Sequence, residues 1–343
     1  MNEMKQDIYL FTSGTLKRKD NTLFYQTKEK ELYFPIMQIR CIHVFGEVQF
    51  NKKLLALLTK NSIAMSFYDY QGSYLGQYVP AGCKTGKMIV EQVNAWQTAS
   101  IRNGIASAIV QAEMDNCLET IRYYAFQEHI NGCQELFFRL LGYVDEIQRL
   151  DQNDEQYITK LMLQEARAKT VYYRLFDLVI DDPYFHFGKR STYPPGNAFN
   201  CLLSFGYAIL YSNTACEIDK SNLLRDLGFI HGLTHHTEGA LQYDLADISK
   251  SYMIDRKMIE MVRSNTVQKE DFYQRNDGGI FLSKEGRKKV VQYLDQEFQK
   301  TVFKGERKVS YRGLLQRDVY ALEETIRNHT DFQPFVLKAG ESV

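Results

Sequence analysis

The sequence predicts an α+β fold: a small N-terminal β-rich domain at residues 1–80, a linker at 81–87 and a larger all-α domain at 88–343. Three observations carry this. Short runs of β-branched and aromatic residues, parted by turn residues, recur up to about position 80. Pro80-Ala81-Gly82 then interrupts the chain, and from Met88 onward the apolar residues take helical spacing. At 343 residues the chain is long enough for two cores.

In the first part, residues 8–11 run as a strand into Thr12-Ser13-Gly14, and Leu23-Phe24-Tyr25 follows a Lys-Asp-Asn turn. Leu32-Tyr33-Phe34-Pro35 precedes a strand at 39–45 that Gly46 closes. Residues 46–59 read as a short helix with Asn51 as N-cap and Leu54, Leu55, Leu57 and Leu58 on its buried side. A strand at 63–70 ends at Gln71-Gly72. Beyond the linker, Ile101, Ile105, Ala108 and Ile109 share one helical face, as do Leu118, Ile121, Tyr124 and Ala125. Residues 145–154 form a polar connection, and one helix is expected from about 155 to 180, stopped by Asp182-Pro183. Tyr193-Pro194-Pro195-Gly196 starts a further helix with Phe199, Leu203, Tyr207 and Leu210 in one stripe. The rest is read as helical except for a turn at 276–279 and a loose tail from about Gly340.

Lys plus Arg and Asp plus Glu are equal at 42 each, so no global charge marks a nucleic-acid binder, although a local patch would suffice. The six cysteines contain no CxxC pair, which fits a reducing interior and a cytoplasmic location. No basic segment followed by an apolar core opens the sequence, and no apolar run approaches ~18 residues, so neither a signal peptide nor a membrane partner is expected.

The stretch 227–248, LGFIHGLTHHTEGALQYDLADI, carries the most chemistry. Asp244 and Asp247 are three residues apart, on what reads as the first turns of a helix, and so share a face. Such like charges need a positive partner, and a divalent cation with His231 as co-ligand is one candidate. The plainer alternative is a core histidine beside a dipole-favoured acidic pair. Glu165 stacks with Leu161, Ala168 and Tyr172 on an apolar helix face, where a carboxylate is costly unless paired or metal-bound. An internal ion pair is the competing reading there, with Arg167 and Lys169 taken to point elsewhere. Carboxylates with one imidazole suit Mg²⁺ or Mn²⁺ better than structural zinc. A zinc site at His231, His235 and His236 lacks the glutamate of an HExxH motif, position 232 being glycine. The basic residues Lys189, Arg190, Arg287, Lys288, Arg312 and Arg317 are ordinary solvated charges taken singly, but beside a metal site they become candidates for holding a DNA backbone.

The order QEARAKTVYY, YPPGNAFNCLLSFGY, LGFIH, YDLADI resembles the CRISPR-associated integrase of spacer acquisition, the "Cas-one" family. The segment IHVFGEVQFNKKLLALLTKNSIAMSFYDYQGSYLGQYVP is similar to its subtype I-B branch, and the likeness spans nearly the whole chain. The resemblance implies a catalytic helical domain in which Glu165, His231 and Asp247 are metal ligands and Asp244 supports them. It further implies Mg²⁺ or Mn²⁺, a homodimer joined through the β-rich domains, double-stranded and branched DNA, the small "Cas-two" protein and a "Cas-four" nuclease. The expected activity is metal-dependent insertion of short DNA fragments into the CRISPR array by 3′-OH attack on a phosphodiester, with endonucleolytic cleavage as the related reaction. His231 is read either as a ligand or as a proton donor. Rival readings are a non-catalytic branched-DNA-binding or scaffold protein with a structural acidic cluster, and a zinc hydrolase. If the two aspartates repel, Asp247→Asn is expected to leave the melting temperature without metal unchanged or raised.

Overall fold

A computed structural model describes residues 5–81, 84–231, 238–304 and 307–337. The chain divides into two compact units, Met1–Cys83 and Lys84–Val343.

The first unit contains β1 (Gln6–Leu10), β2 (Gly14–Lys19), β3 (Thr22–Gln26), β4 (Glu31–Pro35), β5 (Ile39–Val44), β6 (Val48–Gln49), α1 (Lys52–Lys60), β7 (Ala64–Tyr68) and β8 (Tyr74–Tyr78). One sheet has the order β1-β5-β7-β8, parallel except for the β7/β8 pair; the other has the order β4-β3-β2-β6. β2 carries the charged run Lys17-Arg18-Lys19, which gives no apolar signal, yet it is a strand. Its hairpin partner β3 fixes the register, with Asp20 in a left-handed conformation at the tight turn and Leu16 buried. Asn51 caps α1, its Oδ1 accepting from the Leu54 amide at 3.2 Å. Leu54, Leu57 and Leu58 join Ile8, Leu16, Leu23, Ile42 and Met65 in a single core, against which Leu55 is only partly buried.

The second unit is mostly helical: α2 (Gly86–Gln97), α3 (Ala99–Arg122), α4 (Cys133–Gln148), α5 (Tyr157–Tyr172), α6 (Arg174–Val179), α7 (Ala198–Lys220), α8 (Ala240–Asp247), α9 (Arg256–Arg263), α10 (Lys284–Gln299) and α11 (Tyr311–Asn328). It is not purely α. Two short hairpins, β9 (Phe272–Gln274) with β10 (Ile280–Leu282) and β11 (Thr301–Lys304) with β12 (Arg307–Ser310), lie among the helices, the first enclosing the expected turn at 276–279. The single helix expected over 155–180 is α5 and α6, parted at Tyr173. There Tyr172, Tyr173, Phe176, Phe187 and Phe199 pack ring against ring at 5.0–6.1 Å, and packing overrides helical propensity. α7 is buried around most of its circumference, which makes it the unit's central helix. Asn197 caps it by accepting from the Asn200 amide at 2.8 Å. Gly206 lets the segment after α8 come close: a Cβ there would stand 2.6 Å from Ile254 Cγ2. Among the described residues no helix is long and apolar enough to cross a membrane.

Candidate metal centre

Glu165 projects from α5 and Asp247 is the last residue of α8, so the acidic pair closes that helix rather than opening it. Asp244 and Asp247 also have different partners, contrary to the shared focus expected from their spacing. Asp244 turns to the loop that precedes α8. Its Oδ2 accepts from the backbone amides of Phe229 at 2.5 Å and Ile230 at 3.1 Å, and its Oδ1 from the amide of His231 at 3.0 Å. Oδ1 also accepts from His231 Nδ1 at 2.7 Å. Gly228 permits this approach, since a Cβ there would stand 2.8 Å from Asp244 Oδ2 and 2.9 Å from the Ala240 backbone. The loop is tied to the rest of the unit by Gln92 Nε2, which donates to Leu224 O and Leu227 O at 3.0 Å, and by Arg102 Nε, which donates to Phe229 O at 3.3 Å.

Asp247 instead joins Glu165 and Glu113. One carboxylate oxygen from each of the three lies within 4.8 Å of the others, and all three residues are buried. Glu113 comes from α3, three residues before Asn116, whose Nδ2 donates to Ile248 O at 2.7 Å and so fixes α3 to the end of α8. Two ammoniums pair with the cluster. Lys169 Nζ is 2.7 Å from Glu113 Oε1, 2.6 Å from Glu165 Oε1 and 3.5 Å from Asp247 Oδ2. Lys250 pairs with the other Asp247 oxygen and sits 5.1 and 5.0 Å from the ring centroids of Tyr207 and Tyr211. The expectation that Lys169 points away from Glu165 is therefore corrected: residues four apart are neighbours on a helix face.

The electrostatics follow from burial opposed by these charges. Desolvation alone would raise Asp247, but Lys169 and Lys250, then His231, bring its pKa down to about 2. Burial pushes the Glu113 carboxyl well above the usual range despite Lys169, with Glu165 and Asp247 adding to the rise. For His231 burial acts to lower the pKa, and the hydrogen bond and charge of Asp244, with Asp247 and Glu165, more than reverse it. Below this layer, Asp255 accepts from Tyr172 Oη at 3.0 Å and Tyr207 Oη at 2.6 Å; its pKa is raised to about 6 by burial, against those hydrogen bonds.

The donor set fits a hard divalent cation. Carboxylate oxygens dominate it, an imidazole stands near, and an ammonium already occupies the negative field between them. Glu165 and Asp247 are brought together as expected, while the 4.8 Å group does not include His231, whose ring is held by Asp244. Glu113 was not among the sequence candidates. Its signal resembles that of Glu165: Ile109, Val110, Asn116 and Cys117, one turn away on either side, are all buried. His235 and His236 of the zinc reading lie outside the described residues.

The sequence-selected basic residues have varied settings. Arg312 is buried and pairs with Asp295 at 2.9 Å, and Arg317 pairs with Asp318 at 2.8 Å. Arg190 donates to Asn200 Oδ1 and Ser204 Oγ at 3.0 Å, and Lys288 pairs with Glu285 at 2.8 Å. Arg287 is half-buried, and Lys189 is exposed.

A helical frame holding three buried carboxylates and an oriented imidazole defines a class, proteins with an acidic centre whose donor set could take a hard cation. The family described as CRISPR associated protein Cas1 matches residues 8–296, and the chain belongs to that family. A CRISPR-associated endonuclease Cas1 of Thermodesulfovibrio yellowstonii is 31% identical over 338 residues, covering 97% of this chain and 99% of the relative. Another from Clostridium perfringens is 29% identical over 337 residues, covering 96% and 98%. The solved structure of a Cas1 protein from Thermotoga maritima superposes with a TM-score of 0.82 at 27% identity, covering 98% of this chain and 100% of that one.

Proposed function

We propose that this chain is a divalent-cation-dependent DNA integrase and endonuclease of CRISPR adaptation. The 3′-OH of a short DNA fragment attacks a phosphodiester of the repeat. A new P–O bond forms, the P–O bond to the departing strand breaks, and the proton of the attacking hydroxyl is transferred to the departing oxygen. Water as the attacking group would instead nick the DNA. The observation that carries this reading is the meeting of Glu165 and Asp247, from helices far apart in sequence, in a chain of the Cas1 family.

Glu165, His231 and Asp247 would hold Mg²⁺ or Mn²⁺, which when bound polarises the scissile phosphate and offsets charge on the leaving oxygen. Asp244 fixes the imidazole through Nδ1, which leaves Nε2 to meet an ion or to carry a proton. Lys250, placed over two tyrosine rings, keeps a positive charge beside Asp247. The partners proposed are double-stranded and branched DNA, a second copy of the chain through the β-rich unit, Cas2 and a Cas4 nuclease, in the cytoplasm. Exposed Lys189 is the stronger candidate for phosphate contacts, since Lys288, Arg312 and Arg317 are engaged in ion pairs.

One observation favours the scaffold reading, namely that Lys169 and Lys250 already offset most of the negative charge of the acidic cluster. A single assay separates the two. Purified protein, a labelled duplex with free 3′-OH ends and a supercoiled repeat-bearing plasmid are incubated with Mg²⁺ or Mn²⁺, with and without EDTA. Cation-dependent joining that Asp247→Asn abolishes is expected. Binding of branched DNA without any joining would favour the scaffold, and joining by Asp247→Asn at the wild-type rate would overturn the site.

A further inference from the structure

The acidic centre contains its own cation, and the arrangement is asymmetric. Lys169 lies at ion-pair distance from Glu113 and Glu165, at 2.7 and 2.6 Å, and farther from Asp247, at 3.5 Å. Asp247 has a second ammonium, Lys250, on its other oxygen. Three acids share two ammoniums, Lys169 and Lys250, and without Lys169 only Lys250 would face them. Two cations at ion-pair separation repel, so each weakens the hold of the other on the same oxygens, and such coupling is reciprocal. Each acid reaches the cluster from its own helix, Glu113 from α3, Glu165 from α5 and Asp247 from α8, and Glu113 is the one outside the proposed ligand set.

We propose that Lys169 is a positioning residue that competes with the divalent cation for Glu165 and Asp247, and that Glu113 is the carboxylate that retains Lys169 beside the site. The inference rests on the divalent-cation reading above. It makes Lys169 a brake on cation affinity and a source of stability without the cation, with Glu113 setting how strongly the brake acts. When Glu113 takes the ammonium, Glu165 and Asp247 are released to the ion. When Glu113 is replaced by glutamine, Lys169 falls back on the same two oxygens the ion needs.

The test uses Mn²⁺ alone as the probe, with the free-ion paramagnetic resonance signal reporting affinity and thermal melting reporting stability before Mn²⁺ is added. Lys169→Met is expected to bind Mn²⁺ about tenfold more tightly than wild type, within the usual span for coupled sites, and to melt lower without it. Lys169→Arg, which keeps the charge, restores both values. Glu113→Gln is expected to weaken Mn²⁺ binding several-fold, and that loss shrinks in the Lys169→Met background. If Lys169→Met alone does not fold, the Glu113→Gln/Lys169→Met double variant removes one charge of each sign and is compared with Glu113→Gln, and it should bind more tightly. Mn²⁺ affinity that is unchanged or lower when Lys169 is removed, in either background, would overturn the inference while leaving the cation site standing. Wild-type protein with no saturable Mn²⁺ binding would defeat the cation reading itself, and the inference with it.

Discussion

Lys169 Nζ and Glu165 Oε1, one helical turn apart on α5, form a 2.6 Å ion pair that also draws in Glu113 from α3 and Asp247 from α8. Acidic groups that on spacing alone should repel are thereby held together by internal cations.

Asp247→Asn should lower the melting temperature measured in EDTA, the reverse of the outcome expected from the Asp244/Asp247 spacing. Asp247 balances Lys169 on one oxygen and Lys250 on the other, so its removal leaves Lys250 without its carboxylate. The loss is about 3 kcal/mol, at the low end for breaking a buried pair because Lys169 retains Glu113 and Glu165. Denaturant titration of the two proteins checks it, and equal midpoints would show that the ion pairs contribute nothing.

Stability should fall as pH rises between about 4 and 6, with Asp255 as one cause. Its pKa is raised from 3.8 to about 6 by burial, so its contribution is fully present below the lower value and lost as pH passes the higher one. Asp247 acts oppositely: with its pKa depressed to about 2, its contribution is complete above about 3.8 and lost only as pH drops toward 2. Across the pH 4–6 window Asp255→Asn should remove a slope of about 2–3 kcal/mol, read as the difference between wild-type and variant urea unfolding at several pH values.

Asp244→Asn should drop the His231 pKa, because Asp244 supplies both the hydrogen bond and the leading negative charge that raise it against burial. Three backbone amides also lose a full carboxylate acceptor, which costs about 1–3 kcal/mol. Imidazole NMR titration gives the pKa directly. Gly228→Ala should reproduce the effect while leaving both residues in the sequence, since its Cβ would push into Asp244 Oδ2 and the Ala240 backbone. A normal His231 titration in Gly228→Ala would show that the loop tolerates displacement.

Gly206→Ala should destabilise the helical unit by about 1–3 kcal/mol through overpacking against Ile254. Ile254 is buried in the π-helical turn Ser251–Asp255 that follows Lys250, so the clash also bears on how that segment sits. Combining Gly206→Ala with Ile254→Ala should cost less than the sum of the two single changes, since they occupy the same space. Strict additivity in thermal unfolding would rule out the contact as the cause.

The sequence by itself determined a good deal. Local chemistry is self-announcing: Asn51 marks a helix start because a capping side chain satisfies amides within three residues of itself. The change of apolar period after Met88 separates a β-rich part from a helical one. Glu165 on an apolar face, and the ordered motifs around His231 and Asp247, point to an acidic centre and to its family. Other features needed the tertiary structure. β2 is a strand because β3 pairs with it, and a run of Lys and Arg gives no sign of that pairing. Asp244 and Asp247 look equivalent in sequence but part company in space, since the loop at 229–231 captures one and two lysines capture the other. Glu113 is the clearest case. α3 buries polar and apolar residues on several sides, so its periodicity singles out no face, and only the packing of α3 against α5 and α8 decides which carboxylate meets Lys169. Spacing along a chain reports neighbours within one helix; which charges meet across three helices is set by the packing that desolvates them together.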